Sequence, residues 1–201
     1  MKSSDTLQRF IFDQSDIRGV ITTLEQSYQQ TIDGHDYPTV IKRLMGEMLA
    51  AVSLLSTTLK FEGVVTLQAR GSGPLSMIMV DCTRHNNLRG LAQFDRDTHI
   101  AENTSLKEMI GDGGHLALTI TPAKGERYQG IVPLEDDSLA HCIETYFERS
   151  EQLPTRLWLS ADGQVAGGLL IQALPKQVEA DAEQNQSLWE HVTQLASTLK
   201  T

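Results

Sequence analysis

The residues best suited to metal chemistry are a cysteine and a histidine in the segment Cys82-Thr-Arg-His85. Their C-x-x-H spacing could supply two of the four ligands of a structural zinc ion. The sequence has no second C-x-x-C or H-x-x-x-H pair to supply the other two. We therefore expect the end of a strand entering a turn here, and we predict that this chain binds no metal and no other cofactor.

A second candidate for chemistry is the thiol of Cys142, which stands beside His141. A catalytic thiolate requires an exposed, electropositive environment, whereas a cysteine on the apolar face of a helix behaves as a small hydrophobic residue. Cys142 falls on the apolar face of a predicted helix, and we favour a core position for it. A thiol-dependent enzyme that uses Cys142 with His141 stays an alternative. Because spacing groups no nucleophile with a base and an orienting residue, we do not predict an enzyme.

The composition argues against several classes of partner. Lys and Arg number 17 and Asp and Glu number 26, which gives a net charge of −9 without any basic run. Nucleic-acid binding depends on Lys and Arg at phosphates, so we expect neither nucleic acid nor an anionic membrane as a partner. The N-terminal MKSSDTLQRF lacks the apolar stretch of a signal peptide, and no run of apolar residues is long enough to span a bilayer. We expect a cytoplasmic protein with free thiols.

Apolar residues at helical spacing predict one long helix. It should begin at Pro38, because proline suits the first helical position. The apolar positions then recur every three or four residues, which is typical of a helix that packs one face into a core. These positions are Val40, Ile41, Leu44, Met45, Met48, Leu49, Val52, Leu55 and Leu59.

Segments of period two predict antiparallel strands around this helix. They lie at 65–69, 75–80, 88–94, 115–121 and 128–134. The capping box of Ser105 and Glu108 marks a short helix, another helix follows Ser138, and Asp162-Gly163 turns a last hairpin between 156–160 and 164–174. The order of elements indicates an α+β fold of antiparallel sheets packed with helices, followed by a polar linker and an amphipathic C-terminal helix.

The C-terminal part of the chain changes in composition near Pro175. Residues 176–186 read KQVEADAEQNQ, which is typical of a linker. A capping box at Ser187 and Glu190 then predicts the start of a helix, so we expect a core domain over 1–175 and a linker with this helix over 176–201. The apolar stripe of the helix is Leu188, Trp189, Val192, Leu195 and Leu199.

This stripe contains the candidate site residues, and two interpretations of it are open. The helix can dock on its own domain, or it can serve as a reversible cover or binding element for partner surfaces; the two are compatible if docking is weak. We expect a charged residue at Leu195 to weaken docking and to increase the capture of partner surfaces.

Six segments, in order along most of the chain, resemble a known family. They are HDYP at 35–38, LLSTTLKFEG at 54–63, LQARGSGP at 67–74, GERYQG at 125–130, YFERSEQLPTR at 146–156 and AGG at 166–168. The chain resembles the 33 kDa heat-shock chaperone family, the redox-regulated bacterial holdases. The resemblance implies an ATP-independent chaperone that binds unfolding client proteins under oxidative and heat stress, prevents their aggregation and hands them to other chaperones. It also implies a homodimer as the active form.

Members of that family carry a further domain after the linker, in which four cysteines bind zinc when reduced. Oxidation releases the zinc and unfolds the linker. Cys82 and Cys142 match none of those cysteines, so the resemblance implies a core with its linker, the zinc redox-switch domain being absent from this chain. The binding energy of the metal stabilises the folded sensor and linker that cover the client-binding surface. Because this chain has no such metal site, we expect it to bind clients without an oxidant. An interaction domain with one defined partner is the remaining alternative.

Overall fold

A long helix between two antiparallel sheets organises the described part of the chain, which in this computed structural model comprises residues 4–13, 15–57, 62–174 and 182–198. The strands are β1 (Thr6–Ile11), β2 (Ile17–Leu24), β3 (Gly63–Arg70), β4 (Leu75–Thr83), β5 (Leu88–Phe94), β6 (His115–Pro122), β7 (Tyr128–Pro133), β8 (Thr155–Ala161) and β9 (Ala166–Ala173). The helices are α1 (Gln26–Ile32), α2 (Thr39–Ser56), α3 (Leu106–Ile110), α4 (Leu139–Tyr146) and α5 (Ala182–Ala196). The predicted α+β class is confirmed.

The strands form two separate antiparallel sheets. Sheet A has the order β1-β2-β9-β8, and sheet B has the order β5-β4-β3-β6-β7. Both predicted hairpins are confirmed, since β6 pairs with β7 and β8 pairs with β9. The capping box before α3 is also confirmed: the Ser105 hydroxyl accepts the Glu108 N–H at 3.3 Å, and the Glu108 carboxylate accepts the Ser105 N–H at 2.9 Å. Strands β1 and β2 and helix α1 are additional elements that the sequence patterns did not predict.

Helix α2 forms the centre of the core and contacts strands of both sheets. The predicted apolar stripe is confirmed as core, because all of its described residues are buried; Leu59 lies outside the described residues. Sheet A packs very close to the helix at Gly46, where a Cβ would lie 2.6 Å from the Cβ of Ala161 and 3.0 Å from that of Ala166. The buried Ser53 hydroxyl is satisfied by Thr22 and Asn86, at 3.2 and 2.8 Å.

Glu47 is a carboxyl group in an unfavourable position on α2. Burial raises its pKa from an ordinary value of 4.5 to about 7, and the charge of Arg43 opposes this shift only in part. The folded protein therefore binds more protons than the unfolded chain between these two pH values, and its stability falls as the pH rises through this window.

Replacing Glu47 by Gln should remove this penalty. We expect Glu47→Gln to raise the free energy of unfolding by about 1–3 kcal/mol near pH 8 and to change it little near pH 4. Urea unfolding followed by circular dichroism at both pH values measures the effect, with the exposed Glu126→Gln as the matched control. A gain of equal size at both pH values would contradict the assigned cause.

Candidate functional site

The outer face of sheet A, turned away from α2, carries large apolar side chains. Successive strand residues point to opposite faces, so β9 directs Leu170 into the core and Leu169 and Ile171 outward. Ile17 on β2 and Trp158 on β8 lie on the same outer side and belong to one apolar cluster with them. A sheet face of this kind is stable in water only when something covers it.

Helix α5 provides that cover. Its Val192 and Ala196 are 5% and 7% exposed within the cluster on sheet A, and Leu188 and Trp189 pack against it half-buried. Trp158 of β8 belongs to the same contact, so the two tryptophans of the chain both report on docking. The outer face of sheet A together with the docked α5 is the candidate functional site.

The contact between α5 and sheet A is apolar throughout the described residues. The hydrogen bonds of α5 there remain within the helix, such as Gln186 Nε2 to Glu190 Oε1 at 3.0 Å and Thr193 Oγ1 to the Trp189 carbonyl at 2.8 Å. In the same described ranges, no ion pair joins the helix to the sheet. Docking therefore depends on the burial of a few side chains, which is non-directional and reversible.

The structure corrects one of the predicted docking residues. Leu188, Trp189 and Val192 lie at the sheet as expected, but Leu195 is 57% exposed and Ala196 takes its place in the contact. The reason is a rotation of the helix that centres Val192 and Ala196 on the sheet. Leu199, the fifth predicted residue, lies outside the described residues. A role of these residues in client binding stays a prediction.

The start of the C-terminal helix also differs from the prediction. Helix α5 begins at Ala182, and Ser187 lies inside the helix rather than at its N-cap. Residues 182–186 of the predicted linker 176–186 are therefore helical, and 176–181 lie outside the described residues. The Ala, Glu and Gln of this segment are good helix formers, which the linker interpretation undervalued.

Apolar surface continues beyond the edge of α5. On the same face of sheet A, Phe10 and Ile21 are 38% and 43% exposed. The Phe10 ring lies over Gly19, where a Cβ would approach the ring to 2.2 Å, and it packs edge-on against Phe12 at a centroid distance of 5.5 Å. The covered cluster and this exposed margin thus form one continuous apolar region.

The pair Cys82 and His85 does not form a metal site in the structure. Cys82 is fully buried near the end of β4, where its thiol donates to the Thr83 carbonyl and the Asn86 side chain at 3.3 and 3.4 Å. The His85 ring is largely exposed, 3.5 Å from Glu62. Among the residues described, no group of three or more His, Cys, Asp or Glu side chains could hold a metal ion.

The structure also separates Cys142 from His141. Cys142 is buried on the inner face of α4 while His141 on the same helix is exposed, and the Cys142 thiol lies 3.9 Å from the Asp136 carbonyl. Burial raises the pKa of both cysteine thiols, Cys82 and Cys142, to about 11. This environment suppresses the thiolate that a nucleophile would need.

Within the described ranges, every helix is too short or too polar to span a lipid bilayer.

Comparisons with known proteins agree with one another. The family model described as "Hsp33 protein" matches residues 5–201. The 33 kDa chaperonins of Pseudomonas paraeruginosa and Shewanella sediminis are 48% and 46% identical to this chain over 199 and 198 residues, which is 99% and 98% of it. The chain spans 66% of the length of each of these relatives.

A solved structure extends the comparison to the fold. The crystal structure of the 33 kDa chaperonin from Thermotoga maritima superposes with a TM-score of 0.79 at 19% identity. It covers 97% of this chain, and the match includes 68% of the T. maritima chain. The two proteins therefore share their fold.

Substituting Val192 should release α5 more effectively than substituting Leu195. Val192→Asp places a charge in the apolar contact, whereas Leu195→Asp adds one to an exposed position. We expect a red shift of tryptophan emission and an increase of about tenfold or more in protease cleavage within α5 for Val192→Asp. Leu195→Asp serves as the matched control, and equal effects of the two variants would contradict the docking geometry.

Alkylation tests the buried positions of the thiols. We expect iodoacetamide near pH 7 to label both cysteines at least about tenfold more slowly in the native protein than in urea, because little thiolate is present and access is blocked. Mass spectrometry of the labelled peptides assigns the rate of each cysteine. Rapid native labelling of Cys142 would instead favour the thiol-dependent enzyme.

Proposed function

We propose that this chain, which belongs to the Hsp33 protein family, acts as an ATP-independent holdase that captures unfolding proteins on the outer face of sheet A when α5 leaves it. The names of its relatives support a chaperone role. The sequence has no nucleotide-cradling motif, and capture on an apolar face needs no nucleotide.

The purely apolar docking of α5 is the observation that carries this proposal. An isolated helix of 15 residues is at best marginally stable in water, so α5 depends on the sheet for its own structure. The sheet in turn gains only the burial of Leu188, Trp189, Val192 and Ala196. Since ordering the helix costs conformational entropy that opposes this gain, the docked and released states lie close in free energy. Modest stress can then shift the balance toward release.

The surface beneath α5 suits clients of many sequences. Trp158, Leu169 and Ile171 present broad apolar area, and apolar contact is non-directional and selects no single partner sequence. Phe10 and Ile21 extend this area and are already exposed while the helix is docked, so they can make the first contact. Such a surface recognises exposed apolar side chains in general, which is the property that distinguishes unfolded proteins from folded ones.

Regulation and cellular setting are part of the same proposal. We infer action in the cytoplasm under heat and oxidative stress, as a homodimer that hands its clients to other chaperones, without nucleic acid or membrane partners. The two cysteines are buried in the main core, apart from the apolar cluster under α5, so we expect them to take no part in its release. We therefore expect these 201 residues to bind clients under reducing conditions, with no zinc ion in the capture step.

An aggregation assay without nucleotide tests the proposal. A chemically unfolded test protein is diluted into reducing buffer with or without the chain, and light scattering is followed. We expect suppression near equimolar chain and stronger suppression by Val192→Asp, because that variant exposes the sheet face. The Leu195→Asp variant should behave like the unmodified chain.

The same assay separates the proposal from its alternative. A domain that docks on one defined partner would ignore unrelated unfolded proteins and bind its partner with fixed stoichiometry. Three test proteins of unrelated sequence therefore belong in the experiment. If neither the chain nor Val192→Asp suppressed the scattering of any of the three test proteins, the holdase proposal would be wrong.

A further inference from the structure

Strand β8 is one of the two outer strands of sheet A, and one of its edges has no neighbouring strand in the described residues. Its pairing with β9 shows which backbone groups point outward. The Ala173 N–H donates to the Pro154 carbonyl at 2.9 Å, and the Asp162 N–H donates to the Val165 carbonyl at 3.2 Å. Because hydrogen-bonded pairs alternate in an antiparallel ladder, the even-numbered residues of β8 bond to β9 and Leu157, Leu159 and Ala161 direct their backbone groups outward.

One of these outward groups already has a partner. The carboxylate of Glu144 on α4 accepts the Leu157 N–H at 2.7 Å through Oε1 and the Arg156 guanidinium at 2.9 Å through Oε2. Within the described residues, no acceptor is found for the N–H of Leu159. An edge with free backbone donors is a template for another extended chain.

A groove follows this edge. Its floor is formed by 157–159, one wall by His141 and Glu144 of α4, and the other by Glu190 and Gln194 of α5. The groove has a volume of about 540 Å³, which lies within the range of ligand-binding clefts. Two helices therefore leave room for an extended chain at the edge and keep a folded protein away from it.

The charge of the groove points to the chemistry of its occupant. Glu144 and Glu190 line it, and the adjoining cleft of about 560 Å³ adds Asp136 and Glu148. Arg156 is the one Lys or Arg side chain among the described residues that line these two clefts, and it is already paired with Glu144. The walls therefore attract a segment that carries Lys or Arg.

We propose that the free edge of β8 binds extended segments of unfolded polypeptide that alternate basic and apolar residues, each segment adding to sheet A as a further strand. This inference rests on the proposed holdase function and names a second way in which a client is held. Backbone hydrogen bonds to Leu159 and Ala161 would supply affinity that is independent of client sequence, and the acidic walls would favour basic segments.

Amide hydrogen exchange on the full chain tests the proposal with a defined probe. The probe is the blocked hexapeptide Ac-KVKVKV-NH2. At saturating peptide we expect exchange at the Leu159 and Ala161 amides to slow by about tenfold or more, with little change at Trp158 and Ser160, which bond to β9. If the peptide binds but hydrogen exchange at the Leu159 and Ala161 amides is not slowed, the proposal is overturned.

Two controls isolate the backbone and the charge. The same peptide N-methylated at every residue keeps its side chains but loses the backbone N–H of all six residues, so we expect about tenfold weaker binding. Glu190→Lys should weaken binding of the unmodified peptide by about tenfold, whereas the exposed Glu102→Lys, with the same change in charge, should not. Equal binding of both peptides would show that no strand is added.

The aggregation assay separates this inference from the holdase proposal. Suppressed scattering together with unchanged Leu159 exchange would overturn the edge site and leave the holdase standing. Protected Leu159 without suppression would support strand addition and overturn the holdase. Protection that rises with protein concentration in the absence of peptide, accompanied by dimer formation in sedimentation, would assign the edge to a second copy of the chain and overturn a client as its occupant.

Discussion

The burial of helix α2 between two sheets is the constraint on which the rest of the structure depends. From Leu44 onward the helix is buried on nearly every side, and the small residue Gly46 lets sheet A approach it closely. Each sheet can present only one face to α2, so two outer faces are left to be made compatible with water. The two sheets solve this problem differently, and the face that α5 covers is the candidate functional site.

Sheet B leaves its outer face open to solvent, and it places polar cross-strand pairs there beside exposed apolar side chains such as Leu91 and Ile131. The Asp81 carboxylate on β4 accepts from Arg89 on β5 at 2.8 Å and from Thr66 on β3 at 2.5 Å. On the same face, nearer the opposite edge, Gln129 on β7 donates to Thr119 on β6 at 2.9 Å. Such cross-strand pairs stabilise a sheet that faces solvent. The corresponding face of sheet A is apolar at its centre and needs a cover, which α5 supplies. Because α5 makes no hydrogen bond or ion pair to sheet A in the described residues, the helix can dissociate without leaving a buried charge unpaired.

Turns and helix ends could be predicted from the sequence, because they depend on residues that are close together along the chain. Asp162-Gly163 gave the last hairpin because Gly163 accepts φ 91°, and the capping box at Ser105 fixed the start of α3. Strands β1 and β2 were not predicted, because β2 pairs with β9, about 150 residues away in the sequence, and β1 pairs only with β2. The side of α5 that packs was also beyond the sequence: Leu195 belongs to the predicted stripe, yet it is 57% exposed, and the smaller Ala196 next to it is 7% exposed in the cluster on sheet A.

The segment that most strongly indicated the family, YFERSEQLPTR, builds the corner between α4 and the edge of β8. After α4 the chain makes a π-helical turn at Phe147–Glu151, and Gln152 adopts φ 54° before the strand begins. The Tyr146 hydroxyl, 3.2 Å from that of Tyr128 and 3.1 Å from Glu151, ties this turn to sheet B. This corner holds α4 beside β8, with Glu144 at the Leu157 N–H.

This arrangement limits what can reach the edge of β8. An exposed edge is ordinarily a site of aggregation, because any other edge can pair with it. Here α4 and α5 stand on either side, so the strand of a folded sheet would have to bring its own neighbours into the groove. A single extended chain has no neighbouring strands that must enter the groove with it. Under the proposed mode of binding, the same walls that protect the edge from other folded proteins would admit a polypeptide that has lost its tertiary structure.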